Sequence, residues 1–280
     1  MRSDKEQMTE NNTEIQHEST LFAEPIFKIG NFTVTNSLLN SWIVVCILVV
    51  VCVLAGRKIK KIPKGIQNVF EILLEQALNL ADSITGSRKK SEKFLPIALT
   101  LFLFILVNNW LGLLPGVGTI GFVQQEETGR FFIPLFRGAT ADINTTLALA
   151  LFSVLASHVL GIIFVGSWKH VNKFFNMKAI AEIPGKIKKD ATIVLVNPIK
   201  AFVGIIEIIG EVAKVASLSF RLFGNIFAGE VLLASMMAIF AFILPLPFIF
   251  LEILVGMIQA LIFSILTLVY MSIATNAEEH

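Results

Sequence analysis

Long apolar runs separated by short charged stretches dominate the chain. Residues 38–56 are almost wholly apolar, with Trp42 near their start. A run of this length crosses a hydrocarbon core of about 30 Å as one helix, and the tryptophan suits an interface. Further runs cover 94–114, 143–165, 198–243 and 246–274. Residues 66–84 behave differently. Ile66, Val69, Phe70, Leu73, Ala77, Leu80 and Ile84 follow the helical period, while Asn68, Glu71, Glu75, Asn79 and Asp82 fill the opposite side. That pattern predicts an amphipathic helix lying on the membrane surface. The expected fold class is therefore an all-α membrane protein with five membrane helices plus one amphipathic surface helix.

The last two runs are too long to stand upright. Pro198, with Asn197 as a cap before it, is the expected start of a stretch with no strong breaker until Pro245 and Pro247. Its roughly 46 residues would reach about 69 Å as one helix. Helices of this length must tilt steeply or break, so the two are expected to form a steeply tilted hairpin around the Pro245-Leu246-Pro247 turn. The chain carries no convincing internal repeat, which weighs against transporters built from inverted repeats.

Charge orients this arrangement. Arg57, Lys58, Lys60, Lys61 and Lys64 follow the first run, Arg88, Lys89, Lys90 and Lys93 precede the second, and 168–190 carries Lys169, Lys173, Lys178, Lys186, Lys188 and Lys189. By the positive-inside rule these loops are cytoplasmic. The loop 115–141, rich in Gly and Pro, has only Arg130 and Arg137 and is expected outside. Three regions follow: a polar extracytoplasmic tail 1–37, a single polytopic membrane domain 38–275, and a cytoplasmic tail 276–280. The tail 1–30 is acidic, so it reads neither as a signal nor as a transit peptide. Asn11-Asn12-Thr13 fits a glycosylation sequon, a pattern that mostly arises by chance.

Composition closes off other classes. With 55% apolar and 16% charged residues and a mean hydropathy of +0.75, the chain is no soluble domain. Its basic residues flank membrane segments, so nucleic acid is excluded and lipid is the surrounding medium. Cys46 and Cys52 sit six positions apart on one helix and point about 240° apart, which allows neither a disulfide nor a metal pair. Four histidines without ligand-like spacing argue against a metal site, and no cofactor is expected.

Candidate chemistry concentrates in residues 217–230. An Arg at the centre of a membrane helix costs about 2.5–3.5 kcal/mol on insertion scales, so Arg221 needs a purpose. At about 100° per residue, Lys214, Ser217, Arg221, Gly224, Asn225 and Ala228 share one face, with Glu207 about 40° off it. The small residues near Arg221 would admit a close partner helix. Glu230 points about 180° away, so it cannot pair with Arg221 along the helix. Glu207, Glu211, Glu230 and Glu252, joined by Asn225 and Gln259, are the kind of groups an ion path needs. Arginine cannot act as a relay, because its pKa exceeds about 12; its role must be electrostatic, with a partner carboxylate supplied by another chain. Asp142 and Asn144 stand at the outer mouth of the third run, where Asp also caps a helix. His158 lies inside that run, either as a packing residue or as a functional one. A secondary transporter with an anion site at Arg221, and a scaffold whose charges merely pair, remain open on these residues alone.

The stretch Arg221-Leu222-Phe223-Gly224-Asn225-Ile226-Phe227-Ala228-Gly229-Glu230 closely resembles the signature of subunit a of F-type ATP synthases. So do Gln259-Ala260 with Phe263, Leu266-Thr267 and Tyr270, Asp142-Ile143-Asn144, Asn197-Pro198, and the closing Glu278-Glu279-His280. The resemblance covers the membrane part from about residue 38. It implies a stationary subunit that couples proton or sodium flow to rotation and ATP synthesis, with no separate enzymatic activity. Its partners would be a c-subunit ring, peripheral-stalk b subunits and other ATP synthase subunits, in a bacterial plasma membrane, with the N-terminus outside and the C-terminus in the cytoplasm. Arg221 would face the ring carboxylate, with Asn225 and Gln259 beside it. Asp142, Glu230 and Glu252 would line a half-channel to the outside; Glu207 and Lys214 would line one to the cytoplasm. Many family members carry a histidine at one of the positions held here by Glu230 and Glu252. Two nearby acids would titrate as a coupled pair.

Overall fold

The computed structural model describes residues 15–16, 20–57, 60, 64–114, 116–126, 129–170, 193–240 and 243–276. Asn11-Asn12-Thr13, much of the basic 168–190 loop and the closing Glu278-Glu279-His280 lie outside the described residues. The long helices are α1 (Asn36–Gly56), α2 (Ile66–Thr85), α3 (Arg88–Gly112), α4 (Ile143–Val165), α5 (Ile193–Ile239) and α6 (Pro245–Thr275). Five of them, all but α2, contain stretches long and apolar enough to cross a membrane. The all-α membrane fold class stands.

Several boundaries differ from those expected, for identifiable reasons. Helix α3 starts at Arg88 rather than 94, because its basic first turns are good helix formers although too polar for lipid. Helix α5 begins at Ile193, so Pro198 lies inside it and not at its start. A proline keeps a helix-compatible φ there and removes one N–H, the one that would have reached the carbonyl of Val194. The hairpin turn also shifts: α5 ends at Ile239, and Pro245 and Pro247 form the first turn of α6 instead of the link before it. First-turn N–H groups have no intrahelical partner, so two prolines cost little at that place.

The extramembrane segments hold strands that the helical pattern did not predict. Strands β2 (Pro25–Ile29) and β3 (Phe32–Thr35) pair antiparallel, with Ile29 opposite Phe32, leaving Gly30 and Asn31 as a two-residue turn. Gly30 has φ +61°, the left-handed conformation such turns require. In the loop 115–141, β4 (Gly121–Glu126) and β5 (Gly129–Pro134) form a second hairpin. The short β1 (Ile15–Gln16) pairs parallel with β5. The tail and the loop 115–141 are thus tied by backbone hydrogen bonds.

The described chain divides into two compact units. The first takes the described residues of Met1–Leu74, Leu99–Thr146 and Phe220–Ser264; the second takes those of Glu75–Ala98, Leu147–Ser219 and Ile265–His280. In the first unit, α1 shows how the medium inverts ordinary burial. Its buried residues are Asn36, Ser37, Asn40 and Val44, while Val49, Val50, Val51, Val53 and Leu54 are exposed. Lipid offers apolar side chains nothing to escape from, whereas polar groups must find partners inside the protein. Cys46 and Cys52 lie on this exposed surface.

The second unit has an apolar core of Ala81 from α2, Phe94, Leu95 and Ala98 from α3, and Leu268 and Met271 from α6, flanked by Leu160 and Phe164 from α4. Phe94 and Phe164 meet edge to face at 5.6 Å. The apolar stripe of α2 is covered here through Ala77, Leu78, Ala81 and Ile84. Earlier along α2, Val69, Phe70, Leu73 and Leu74 remain exposed. A hydrogen bond of 2.7 Å between the hydroxyls of Ser153 and Thr267, both completely buried, joins α4 to α6.

That pair yields a test of packing. Ser153→Ala removes this bond and is expected to destabilise the folded protein by about 0.6–2 kcal/mol. Combined with Thr267→Val, it is expected to cost less than the sum of the two single changes, because both remove the same bond. Reversible unfolding in bicelles measures both.

Candidate functional site

Helix α5 presents most of the candidate groups, and the two units hold them in separate sets. In the first unit, Arg221 is half-buried, followed by the buried Leu222 and Phe223. One turn on, Asn225 Nδ2 donates to Gln259 Oε1 at 2.8 Å, and Gln259 is buried. This bond ties α5 to α6 and brings together two residues singled out from sequence. Phe223 and Phe227 stack at 5.1 Å on the same helix. Beside Arg221, Phe220 is 60% exposed, and Ala228 and Asn225 also lie open.

Glu230 has a partner that sequence reasoning did not name. Arg137, only 5% exposed, points its guanidinium at the Glu230 carboxylate, Nε lying 3.1 Å from Oε1 and Nη2 2.9 Å from Oε2. Its other donors hold the N-terminal segment. Nη1 reaches the Thr20 hydroxyl and the Phe22 carbonyl, both at 3.2 Å, and Nη2 reaches the Thr20 carbonyl at 2.7 Å. A guanidinium has five N–H donors, and all five are engaged. One buried cation therefore joins the tail, the loop 115–141 and α5. Sequence showed Arg137 only as a sparse positive charge of that loop; the pairing crosses 93 positions and leaves no local signal.

Glu252 on α6 is buried, and its Oε1 has no hydrogen-bond partner among the described residues. An oxygen in that position needs a proton-bearing group or a water to satisfy it. The carboxylate sits against Gly229, where a Cβ would overlap it. Glycine at 229 thus lets the Glu252 head reach the α5 backbone next to Glu230. The two acids do not share one environment: Glu230 is ion-paired with Arg137, and Glu252 is not.

Asp142 is buried and takes the capping role. It accepts from Asn144 N at 3.2 Å and from the Thr145 hydroxyl at 3.1 Å, so it caps α4. It also accepts from Ala23 N at 3.3 Å and the Ser37 hydroxyl at 3.2 Å, which ties the tail and α1 to the same point. A polar seam continues nearby. Asn40 donates to Asn108 at 3.4 Å, the Thr140 hydroxyl donates to Asn109 at 2.7 Å, and Asn109 donates to the Gly256 carbonyl at 3.0 Å. Asn108, Asn109 and Thr140 are buried.

The second unit holds the other set. Lys214 Nζ donates to Glu211 Oε1 at 2.7 Å and lies 5.2 Å above the Tyr270 ring. The second oxygen of Glu211 faces His158 Nε2 at 3.4 Å, and His158 Nδ1 meets His170 Nε2 at 3.1 Å. These side chains, with Ser157, Ile273 and Ala274, line a cavity of about 10 Å³. Glu207, half-buried one turn before Glu211, does not line it. Glu211, one of the carboxylates singled out from sequence, is the acid that Lys214 contacts. His170 was missed because it sits among the basic residues that follow a span.

Arg137→Met leaves Glu230 without its counter-charge. With Glu230 35% exposed, the expected loss is about 1–3 kcal/mol of stability. The double variant Arg137→Met with Glu230→Gln is expected to be milder than the single one, as read by the same bicelle unfolding. Gly229→Ala is expected to force the Glu252 side chain aside and to destabilise the folded protein, a loss that Glu252→Ala, which removes the clashing carboxylate, is expected to relieve in part; the same bicelle unfolding measures both.

Known proteins resemble the chain over most of its length. The family model described as ATP synthase A chain matches residues 38–272. The chain is similar to the ATP synthase subunit a of Syntrophobacter fumaroxidans, 34% identical over 252 residues, covering 90% of this chain and 87% of that protein. It is 30% identical over 247 residues to that of Moorella thermoacetica, covering 88% and 94%. The Campylobacter jejuni protein of the same name is 34% identical over 237 residues, covering 85% and 88%.

Proposed function

The chain belongs to the ATP synthase subunit a family, and from that premise we propose that it is the stationary ion-translocating subunit of a rotary F-type ATP synthase. It is a multi-pass membrane protein that works with other ATP synthase subunits. The observation that carries the reading is the separation of its ionisable groups. Arg221, Glu230, Glu252 and Asp142 belong to one unit of the fold, and Glu211 and Lys214 to the other. Two ion paths that must not short-circuit call for such a division.

In this mechanism Asp142, Glu230 and Glu252 line the half-channel opening outside, and Glu207, Lys214 and the neighbouring Glu211 line the one opening to the cytoplasm. Arg137 keeps Glu230 in place. The Arg221 face, with Asn225 and Gln259 behind it, lies against a ring of c subunits, and peripheral-stalk b subunits hold the chain still. An ion enters by one path, rides the ring and leaves by the other. The guanidinium does not give up its proton, so it cannot pass one on; it meets the ring carboxylate as that group arrives deprotonated, and it blocks direct leakage. Small side chains around Arg221 allow the ring helix to approach closely. The translocated ion is a proton, with sodium as the option set by the ring. The chain sits in the bacterial plasma membrane, N-terminus outside and C-terminus in the cytoplasm, and contributes to ATP synthesis without a catalytic site of its own.

The experiment is ATP-driven proton uptake in inverted vesicles carrying Arg221→Ala or Arg221→Lys, with assembly checked by co-purification of the ring. Both variants are expected to assemble and to lose at least about a hundredfold in uptake. Lysine fails because its compact, strongly hydrated charge can give up its proton when desolvated. Normal uptake by Arg221→Ala would sink the reading, and solute transport by the purified chain alone would point to a secondary transporter.

A further inference from the structure

Four ionisable side chains form a linear chain of contacts in the second unit. His170 Nε2 stands 3.1 Å from Nδ1 of His158. The other nitrogen of His158, Nε2, stands 3.4 Å from Oε2 of Glu211. Glu211 turns its remaining oxygen, Oε1, to Lys214 Nζ at 2.7 Å. Both His158 and Glu211 meet each neighbour with a different atom, which is what a relay requires and what a simple packing contact does not.

The surroundings build this arrangement from several elements. His158 comes from α4, His170 from residues just after it, Glu211 and Lys214 from α5, and Tyr270 from α6; all five line the cavity of about 10 Å³, with Ser157 adding a hydroxyl. That volume is at the threshold for one water. Gly161 makes room for the second imidazole: a Cβ there would stand 2.5 Å from Cε1 of His170 and 2.9 Å from the Ala274 carbonyl oxygen. His170 is consequently 6% exposed and seated against α4.

We propose that His170 and His158 relay protons to and from Glu211, as a further ion-carrying element of the half-channel that opens to the cytoplasm. The inference rests on the translocation reading above. His170 takes up a proton on Nδ1 and releases the one on Nε2 to Nδ1 of His158. His158 releases its Nε2 proton to Oε2 of Glu211. Each transfer breaks one N–H bond and forms one N–H or O–H bond. One positive charge passes along and neutralises the carboxylate, leaving both rings neutral in the opposite tautomer. A water-assisted shift of each ring's proton from Nδ1 back to Nε2, one N–H broken and one formed, restores them. Lys214 as an ammonium has donors but no acceptor, so the relay ends at Glu211 and Lys214 acts through its charge. Imidazole suits the task because it changes charge between about pH 5 and 8.

Glutamine separates relay from packing, since its amide both donates and accepts but carries no mobile proton. The experiment uses the complete ATP synthase in inverted vesicles, with His158→Gln, His170→Gln, His170→Ala and Arg221→Ala, each normalised to assembled complex. Both Gln variants are expected to slow ATP-driven proton uptake about tenfold or more. Imidazole added on the cytoplasmic face is expected to restore part of the uptake in His170→Ala but none in the Gln variants. Parental uptake by the Gln variants overturns the relay, as does slow uptake in His170→Ala that imidazole leaves unchanged. Should a Gln variant fail to assemble, the imidazole response of His170→Ala decides. Normal uptake by Arg221→Ala brings down the translocation reading together with the relay, whereas loss there beside parental Gln variants brings down the relay alone.

Discussion

Ionised and polar groups inside a bilayer must be satisfied by the protein itself, and most of this fold answers to that constraint. The penalty is largest for full charges, and Arg137 and Lys214 each have a carboxylate in reach. Arg137 places all five donors, two groups of them on Glu230 and the rest on the tail. Lys214 lies between Glu211 and the Tyr270 ring. Neutral groups follow the same rule. The buried residues of α1 are mostly polar, and the asparagines of α3 reach an amide, a threonine and a backbone carbonyl. In water these groups would face outward; in lipid they become the joints of the structure.

The joints also connect distant parts of the chain. Asp142 accepts hydrogen bonds from the tail, from α1 and from the first turn of α4. Arg137 links the tail to α5 across the loop 115–141. The two hairpins and the β1–β5 pairing add backbone bonds to the same region. A single substitution at such a point therefore touches three segments at once, and its consequences cannot be assigned to one contact.

Glu252 contrasts with its neighbour: its buried Oε1 has no hydrogen-bond partner among the described residues, as holds also for Oδ1 of the buried Asn40, whereas Glu230 is held by a guanidinium. Gly229 leaves the space that the Glu252 head occupies.

Much of the architecture was legible because lipid imposes a simple rule on sequence. The five apolar runs, the amphipathic 66–84 segment and the excess length of the last two helices all follow from hydropathy, period and rise per residue. Arg221, Asn225 and Gln259 stood out because polar residues are conspicuous against an apolar background, and the structure joins the last two directly. What sequence could not supply were pairings between residues far apart: Arg137 with Glu230, Asp142 with Ser37, His158 with His170 and Glu211. Hydropathy reports how a residue meets its medium, not which other residue it meets. The strands and the proline-containing helix starts were hidden for a related reason: a short hairpin or a first turn is decided by a few backbone hydrogen bonds, and only the folded chain brings those donors and acceptors together.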